Sequence, residues 1–478
     1  MSIAETRAPG ADTAGSFSPP PATEAYAEFA HALSFDDIPA DIVQIAKEQA
    51  VATIGSCLAG VNMPGAKAMA RGLGILGSGE DAALFGLNRR VPAPTAALFN
   101  AAMGQIIEWD DWVIISHTGA AVVPTAFAAG ERAKASGRDV IAAIVIGNEI
   151  NGRTSRSIQR GAYVGNGLPN HQVETPLVAG RVMGLDARSL RRAVGLSAYM
   201  AMENCFLGWT SDAKLLVNGL PAMWGIVSAA FAKEGMVANE DMVEHPAGYL
   251  ATVSEEIDFN ELINGLGTEW QTRSLSTKRW PACAYNLSPI ECAIALHHGT
   301  PNFHPGRIRK IRIYCPGVTT YVGTRYQAMS PDVYEMIRQD RMSHMPLAFD
   351  CGYEVIASLV DGELTWRQYT KERIFADEIQ RLRPFVEFVT DAEMQANYYR
   401  DYQYSGRVEI TLDNGEVFSE HRDQLLGARD RPFDHAEKFM EGARGVLPAE
   451  RAEQALSMLR SIEQVDDIST ITHLLQPL

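Results

Sequence analysis

No apolar stretch in this 478-residue chain runs uninterrupted for the roughly 18 residues that a membrane span requires. Basic residues are in deficit: 42 Lys and Arg stand against 58 Asp and Glu, a formal charge of −16. That balance argues against nucleic acid as a partner, because nucleic acid selects basic surfaces. An anionic small molecule stays open, since a few cations in one cleft outweigh distant surface charge. Cysteine is sparse and scattered (Cys57, Cys205, Cys283, Cys292, Cys315, Cys351), with no CxxC pair. This excludes a zinc ribbon and fits reduced thiols in a cytosol better than a disulfide framework. The start of the chain lacks a basic segment followed by an apolar one. Residues 1–22, rich in Ala, Gly, Pro, Ser and Thr, read as a disordered tail. The expectation is a cytoplasmic protein that neither enters a membrane nor binds nucleic acid, with a length sufficient for two or three domains.

What is present is helix. From about Asp37 to Gly235 small and apolar residues recur at helical spacing. Ile38 to Leu58 and Asp139 to Arg153 are predicted helices, and Ser189 is the expected N-cap of a helix running to Met202. Lys214 to Lys233 reads as a long helix closed by Gly235. After about Ser274 the character changes. Arg307 to Tyr314 has strand features, and Arg407 to Leu412 alternates cleanly. Asn414-Gly415 then supplies a hairpin turn before Glu416-Val417-Phe418. Helical segments fall at Pro346 to Leu359 and Ala376 to Leu382, and Ala449 to Glu463 is an amphipathic helix. The predicted class is mainly α: a large all-α domain (23–273 and 425–478) with a smaller α+β lid domain (274–424) inserted before the C-terminal helices.

Two patterns invite function and do not carry it. Gly72-Leu73-Gly74-Ile75-Leu76-Gly77 matches GxGxxG but lacks the preceding strand and the later acid of a dinucleotide site, so it is a loop. His297, His298 and His304 lie in a polar connection without an HExxH or comparable set, and no metal is expected. The segment from Glu108 to Gly119 is different. Glu108, Asp110, Asp111 and His117 crowd one short loop between two apolar helices, Pro94 to Ile107 and Ala120 to Ala135, with Pro124 near the second start. Carboxylates there are costly to desolvate unless paired, hydrated or used. From the residues alone the loop fits either proton chemistry or a solvated helix end. His171 follows a Gly- and Asn-rich loop (Gly165 to Asn170) and reads as a cap or as a proton carrier. Lys214 at a helix start is either solvated or turned into a cleft. Lys278-Arg279-Trp280-Pro281-Ala282-Cys283 is either a basic linker or an anion clamp at a domain cleft.

Together these residues resemble the MmgE/PrpD family, which includes 2-methylcitrate dehydratase, cis-aconitate decarboxylase and iminodisuccinate epimerase. The marks are Ala96 to Asn100 leading to Glu108-Trp109-Asp110-Asp111, the His-x-Gly of 117–119, and Gly147-Asn148-Glu149-Ile150 with Arg153. Lys214 with Gly219, Lys278 to Pro281, and Lys438-Phe439 complete them, so that the resemblance runs from about Ala25 to Leu475. It implies a homodimer and cofactor-free, metal-independent proton transfer next to a carboxylate of a small di- or tricarboxylate. By position it implies catalytic roles for Asp110, Asp111, His117, His171 and Tyr321. It places Lys214, Lys278, Arg279 and Cys283 around the substrate.

Three departures stand out. Thr118 replaces a proline in His-Pro-Gly, Val217 replaces the histidine of Lys-x-x-His-x-Gly, and Cys283 stands where the decarboxylases carry a histidine five residues after the second lysine. The expected activity is a lyase, dehydratase or decarboxylase. An epimerase or isomerase in the same site, and a binding protein without turnover, are the alternatives.

Overall fold

A computed structural model describes residues 19–158, 171–201, 208–209, 211–329 and 332–477. The expected tail up to residue 18, the Gly165 to Asn170 loop and Cys205 lie outside the described residues. The first two-thirds of the α region is built from α1 (Ala22–Ala32), α2 (Ala40–Gly60), α3 (Ala93–Gln105), α4 (Thr118–Ala133) and α5 (Gly137–Ser157). It continues with α6 (His171–Val182), α7 (Ala187–Ala198) and α8 (Leu216–Lys233). Helix α8 packs on α3, α6 and α7, which buries most of the apolar residues in each. Burying a Leu, Ile or Val contributes about 1.5–3 kcal/mol per side chain, and this packing stabilises the helices more than their intrinsic propensity does.

Helix α8 closes as expected. Gly235 has φ +95°, its N–H donates to Ala232 O, and Met236 N donates to Phe231 O, so the last carbonyls are satisfied. Segment Asp212–Leu215, including Lys214, is a separate 3₁₀ turn ahead of the helix. Two start signals differ from expectation. Asp186, not Ser189, caps α7, its carboxylate accepting from Ser189 N at 2.7 Å. Helix α4 begins at Thr118, six residues before Pro124, because Asp111 Oδ1 accepts the otherwise unsatisfied Gly119 N–H at 2.8 Å.

Strands are few and short. Ala82–Ala83 (β1) pairs with Arg90–Val91 (β2), and Asp111–Trp112 (β3) pairs antiparallel with Ser276–Thr277 (β4). The larger sheet has four strands, Ile308–Cys315 (β5), Val386–Thr390 (β6), Gly406–Leu412 (β7) and Val417–Arg422 (β8), in the order β6-β5-β7-β8. Only β6 runs parallel to its neighbour. The β7–β8 hairpin turns at Gly415, φ +85°, as Asn414-Gly415 predicts. Helix α9 (Leu287–Gly299) covers β7 and β8 and packs on α10 (Cys351–Asp361). His297 and His298 belong to the last turn of α9, not to a loop, and their rings meet Leu359 O and Gly362 O at 2.9 Å each. The GxGxxG segment is the end of a helix (Pro64–Gly72) followed by a 3₁₀ turn.

The strand β6 and the following helix α11 (Ala392–Asp401) were not expected. Helix α11 is largely polar, and its start rests on Asp391, which accepts from Glu393 N and Met394 N at 3.0 Å. Helices α12 (His435–Ala443) and α13 (Ala449–Arg460) return to the helical part. Helix α12 crosses α2 so closely that a Cβ on Gly55 would lie 2.7 Å from Phe439 Cα, and one on Gly442 would lie 1.9 Å from Gly55 O. That approach delivers Lys438 to the interior.

Candidate active site

The short β3–β4 ladder builds the site. It pairs Asp111 with Thr277 and Trp112 with Ser276, and Lys278 N extends it by donating to Asp110 O at 3.1 Å. Two segments far apart in sequence thereby present Asp110 and Lys278 side by side. Just before them Glu108 takes φ +56°, a left-handed conformation uncommon for a residue with a Cβ. Ile114, at φ +59°, turns the chain so that Val113 and Ser116 exchange backbone hydrogen bonds and His117 comes back over Asp110.

Glu108, Asp110 and Asp111 are all buried, which at once excludes a solvated helix end. Their partners are lysines. Lys278 Nζ lies 2.5 Å from Asp110 Oδ1 and 3.3 Å from Glu108 Oε2, and Lys214 Nζ donates to Glu108 Oε1. The Lys214 ammonium also sits 5.0 Å from the ring centroid of Trp209 and 5.5 Å from that of Phe349. Asp110 Oδ2 meets His117 Nδ1 at 2.7 Å and accepts from Gln105 Nε2 at 2.9 Å. Burial alone raises the Asp110 carboxyl, but His117 and Lys278 outweigh it and hold the group well below the usual carboxylate range. The same pairing, against a burial that would lower it, lifts the Lys278 ammonium above its ordinary value.

Lys438 and Asp111 are also buried close to these groups. Lys438 Nζ donates to Trp109 O at 2.8 Å and to Lys278 O at 3.2 Å, tying together the two segments that carry Asp110 and Lys278. Burial brings its ammonium down to about 7, against the pull of Asp111 and Asp110. Burial raises the Asp111 carboxyl, partly offset by the Gly119 N–H. The charges of Lys214 and Lys278 are thus met within the site by Glu108 and Asp110.

The cavity above these groups has a volume of about 60 Å³. Glu108, Lys278, His117 and Cys283 line it together with an aromatic wall from Trp112, Trp209, Phe349 and four tyrosines, 285, 398, 402 and 404. His117 is the imidazole of this lining, its side chain 19% exposed, with Nδ1 held by Asp110 so that Nε2 is the nitrogen available for proton exchange. Burial pushes the Cys283 thiol up to about 12, which keeps it protonated near neutral pH.

The expected site residues therefore divide. Asp110, His117, Lys214, Lys278 and Cys283 come together, with Asp111 immediately below. Arg279 turns away to Glu441, 3.0 Å from Oε2, and stacks by the rings of Trp280 and Phe433. His171 is buried at the start of α6 with Nδ1 2.6 Å from Glu174 Oε1, and does not line the cavity. Tyr321 is 50% exposed on the helix Gly317–Met329, also outside the lining. The sequence sets Glu108 only among the acids of the loop and gives no site role to Lys438 or to the lining tyrosines. A signal existed for the last: Tyr398, Tyr399, Tyr402 and Tyr404 crowd one short stretch.

Other sequence marks prove structural. Asn100 bonds Phe85 N and Ala83 O, and Asn148 exchanges amide hydrogen bonds with Gln49. Glu149 accepts from Gln271 N and Thr272 N at 2.8 Å each. Among the described residues, no group of three His, Cys, Asp or Glu side chains is placed to hold a metal. One helical run among the described residues, Asp212–Lys233 (the 3₁₀ turn together with α8), is long and apolar enough to cross a membrane, and most of it is buried in the core.

The chain is 22% identical over 480 residues to the cis-aconitate decarboxylase of Aspergillus terreus, with 95% of each chain covered. It is 23% identical to the cis-aconitate decarboxylase of Homo sapiens, over 95% of this chain and 94% of that one. The mouse cis-aconitate decarboxylase is 22% identical over 475 residues. Residues 24–262 match the MmgE/PrpD N-terminal domain and residues 280–464 the MmgE/PrpD C-terminal domain. With both domains matched in order along most of its length, the chain belongs to the MmgE/PrpD family.

Proposed function

We propose that this protein is a lyase of the decarboxylase type that acts on a small di- or tricarboxylate, with His117 as the proton carrier. The observation that carries this is the His117–Asp110–Lys278 chain at the cavity, with contacts of 2.7 and 2.5 Å. A carboxylate orienting an imidazole through Nδ1 fixes which ring nitrogen exchanges a proton, and a nearby ammonium lowers the cost of carbanion-like charge. The C–C bond to one carboxylate breaks and CO2 departs. Its electron pair is left on the adjoining carbon and spreads into the remaining unsaturated carboxylate. His117 Nε2–H supplies the proton for the new C–H bond and regains one from water. Asp110 acts as a positioning residue throughout.

Decarboxylation needs one proton delivered to carbon, whereas epimerisation needs a second acid on the opposite face. Cys283, with its thiol pushed up to about 12, is a weak candidate for that second group. The names of the relatives point the same way. The chain divides for this chemistry into a helical part and a lid of residues 274–424, the cavity lying between Glu108, Trp112 and His117 on one side and the tyrosine wall on the other. A cytoplasmic setting fits Cys57, Cys283, Cys292, Cys315 and Cys351, all free thiols.

The working unit is a homodimer. From Leu216 to Ala232 helix α8 carries no charge, and Leu216 and Phe231 stand exposed with Leu220, Met223 and Trp224 partly exposed between them. An apolar stripe of this length suits a second copy of the same face.

The test is incubation of the protein with cis-aconitate and a panel of dicarboxylates in D2O, read by NMR for CO2 loss and for deuterium in the product. Loss of CO2 with one deuterium placed on carbon is expected. Loss of water instead makes the protein a hydro-lyase, and exchange at an unchanged substrate makes it an epimerase. Acids that stabilise the protein thermally while none reacts leave a binding protein.

A further inference from the structure

Glu354, on α10, is fully buried and forms no ion pair among the described residues. Its carboxyl oxygens have neutral partners. Oε2 accepts from Asn286 Nδ2 at 2.7 Å, and Oε1 lies 2.9 Å from the Tyr369 hydroxyl. Both partners are themselves buried. A carboxylate taken out of water without a cation is costly to hold, and such a group takes up a proton rather than stay ionised.

The hydrogen count around Tyr369 says where that proton sits. The phenol has one proton and two oxygen neighbours, Pro281 O at 2.5 Å and Glu354 Oε1 at 2.9 Å. A backbone carbonyl only accepts. Two oxygens 2.5 Å apart need a proton between them, so the Tyr369 O–H points to Pro281 O. The second contact is then filled by a proton on Glu354 Oε1, donated to the phenol oxygen, while Oε2 keeps its lone pairs for Asn286. Burial, which pushes the Glu354 carboxyl well above the usual range against both hydrogen bonds, acts in the same direction.

Both ends of this chain of bonds fall on one turn of the candidate active site. Pro281 and Asn286 bracket Cys283 and Tyr285, which line the cavity, and Lys278 lies three residues ahead of Pro281. Glu354 itself is not in the lining. We infer that Glu354 is a positioning residue that carries a proton: through Asn286 and the Tyr369 phenol it clamps residues 281–286 in place beside Lys278. A neutral acid does this without adding a third negative charge to those Lys278 already meets in Asp110 and Glu108. The inference rests on the lyase reading only for its effect on turnover.

Three variants of the full-length protein test it. Glu354→Gln keeps a neutral group that donates to Tyr369 and accepts from Asn286. Glu354→Leu removes both bonds, and Tyr369→Phe leaves Pro281 O without its donor. The turn is read without turnover, by iodoacetamide labelling of Cys283 located by peptide mass spectrometry. Cys57, buried in α2, is the control for general unfolding. Labelling of Cys283 should quicken about tenfold in Glu354→Leu and Tyr369→Phe and stay within about twofold of wild type in Glu354→Gln, with Cys57 unchanged. The infrared spectrum of the wild type minus that of Glu354→Gln should show the C=O stretch of a protonated carboxyl at pH 7. In the lyase assay kcat should fall about tenfold in the Leu and Phe variants and recover in Glu354→Gln. Labelling that rises equally at Cys57 and Cys283, an unchanged Cys283 in folded Glu354→Leu and Tyr369→Phe, or a missing acid band overturns the clamp and leaves the lyase reading untouched. Labelling and infrared results as expected, with no acid turned over by the wild type, remove the lyase reading and keep the clamp. If Glu354→Leu does not fold, Tyr369→Phe and the infrared band decide.

Discussion

His117 Nδ1 rests 2.7 Å from Asp110 Oδ2, and the other oxygen of the same carboxylate holds the Lys278 ammonium at 2.5 Å. One buried carboxylate therefore sets both the tautomer of the imidazole and the position of the cation beside it. His117→Gln should lower kcat by about 10²–10⁴-fold, and Asp110→Asn should lower it comparably. Groups that act as a unit lose their effect together. The double variant is expected to be no worse than His117→Gln alone. Losses that multiply in steady-state kinetics would show the two residues acting separately.

Lys278 compensates two buried acids, so its removal leaves Glu108 and Asp110 short of a cation. Lys278→Met should cost about 3–5 kcal/mol of stability by urea unfolding. Adding Asp110→Asn should recover part of that loss, because the uncompensated charge goes with it. A cost below about 1 kcal/mol for Lys278→Met would contradict the pairing.

Lys438 predicts a pH dependence of opposite sense to an ordinary ion pair. Its ammonium ionises at about 7 when folded and at 10.5 when free. Between those values the unfolded chain holds a proton that the folded chain has shed, so stability rises with pH across that window. Lys438→Met should flatten the rise of Tm between pH 7 and 10. A steeper or unchanged slope in the variant would place the lysine's titration elsewhere.

Gly119 has no room for a side chain: a Cβ there would lie 2.0 Å from Asp111 Oδ2 and 2.7 Å from Thr53 Oγ1. Gly119→Ala must push the Asp111 carboxylate off the start of α4. A loss of about 1–3 kcal/mol is expected, read by thermal unfolding, together with reduced activity because His117 immediately precedes the same helix.

The exposed face of α8 supplies the test of assembly. Trp224 and Phe231 meet edge to face at 6.4 Å on that face. Phe231→Glu puts a charge into the proposed contact, and light scattering should show the dimer converted to monomer at micromolar concentration. A dimer that survives Phe231→Glu and Leu216→Glu together assembles through another surface.

Much of this protein follows from local chemistry. The helices of the first half, the β7–β8 hairpin at Asn414-Gly415, the closure of α8 at Gly235 and the family itself are written in short-range patterns. Spacing and turn residues act within a few positions, whatever the rest of the chain does. Asp110, His117, Lys214 and Lys278 are equally visible as residues, yet nothing local states which of them touch. Tertiary structure alone brings Lys278 onto Asp110 through a two-residue ladder, turns Arg279 to Glu441 and His171 to Glu174, and slides Lys438 in through the Gly55–Gly442 crossing. The pairing of the buried charges belongs to that level as well. It depends on which buried ions lie within about 4 Å of each other, and a distance of that kind is settled only when the whole chain has packed.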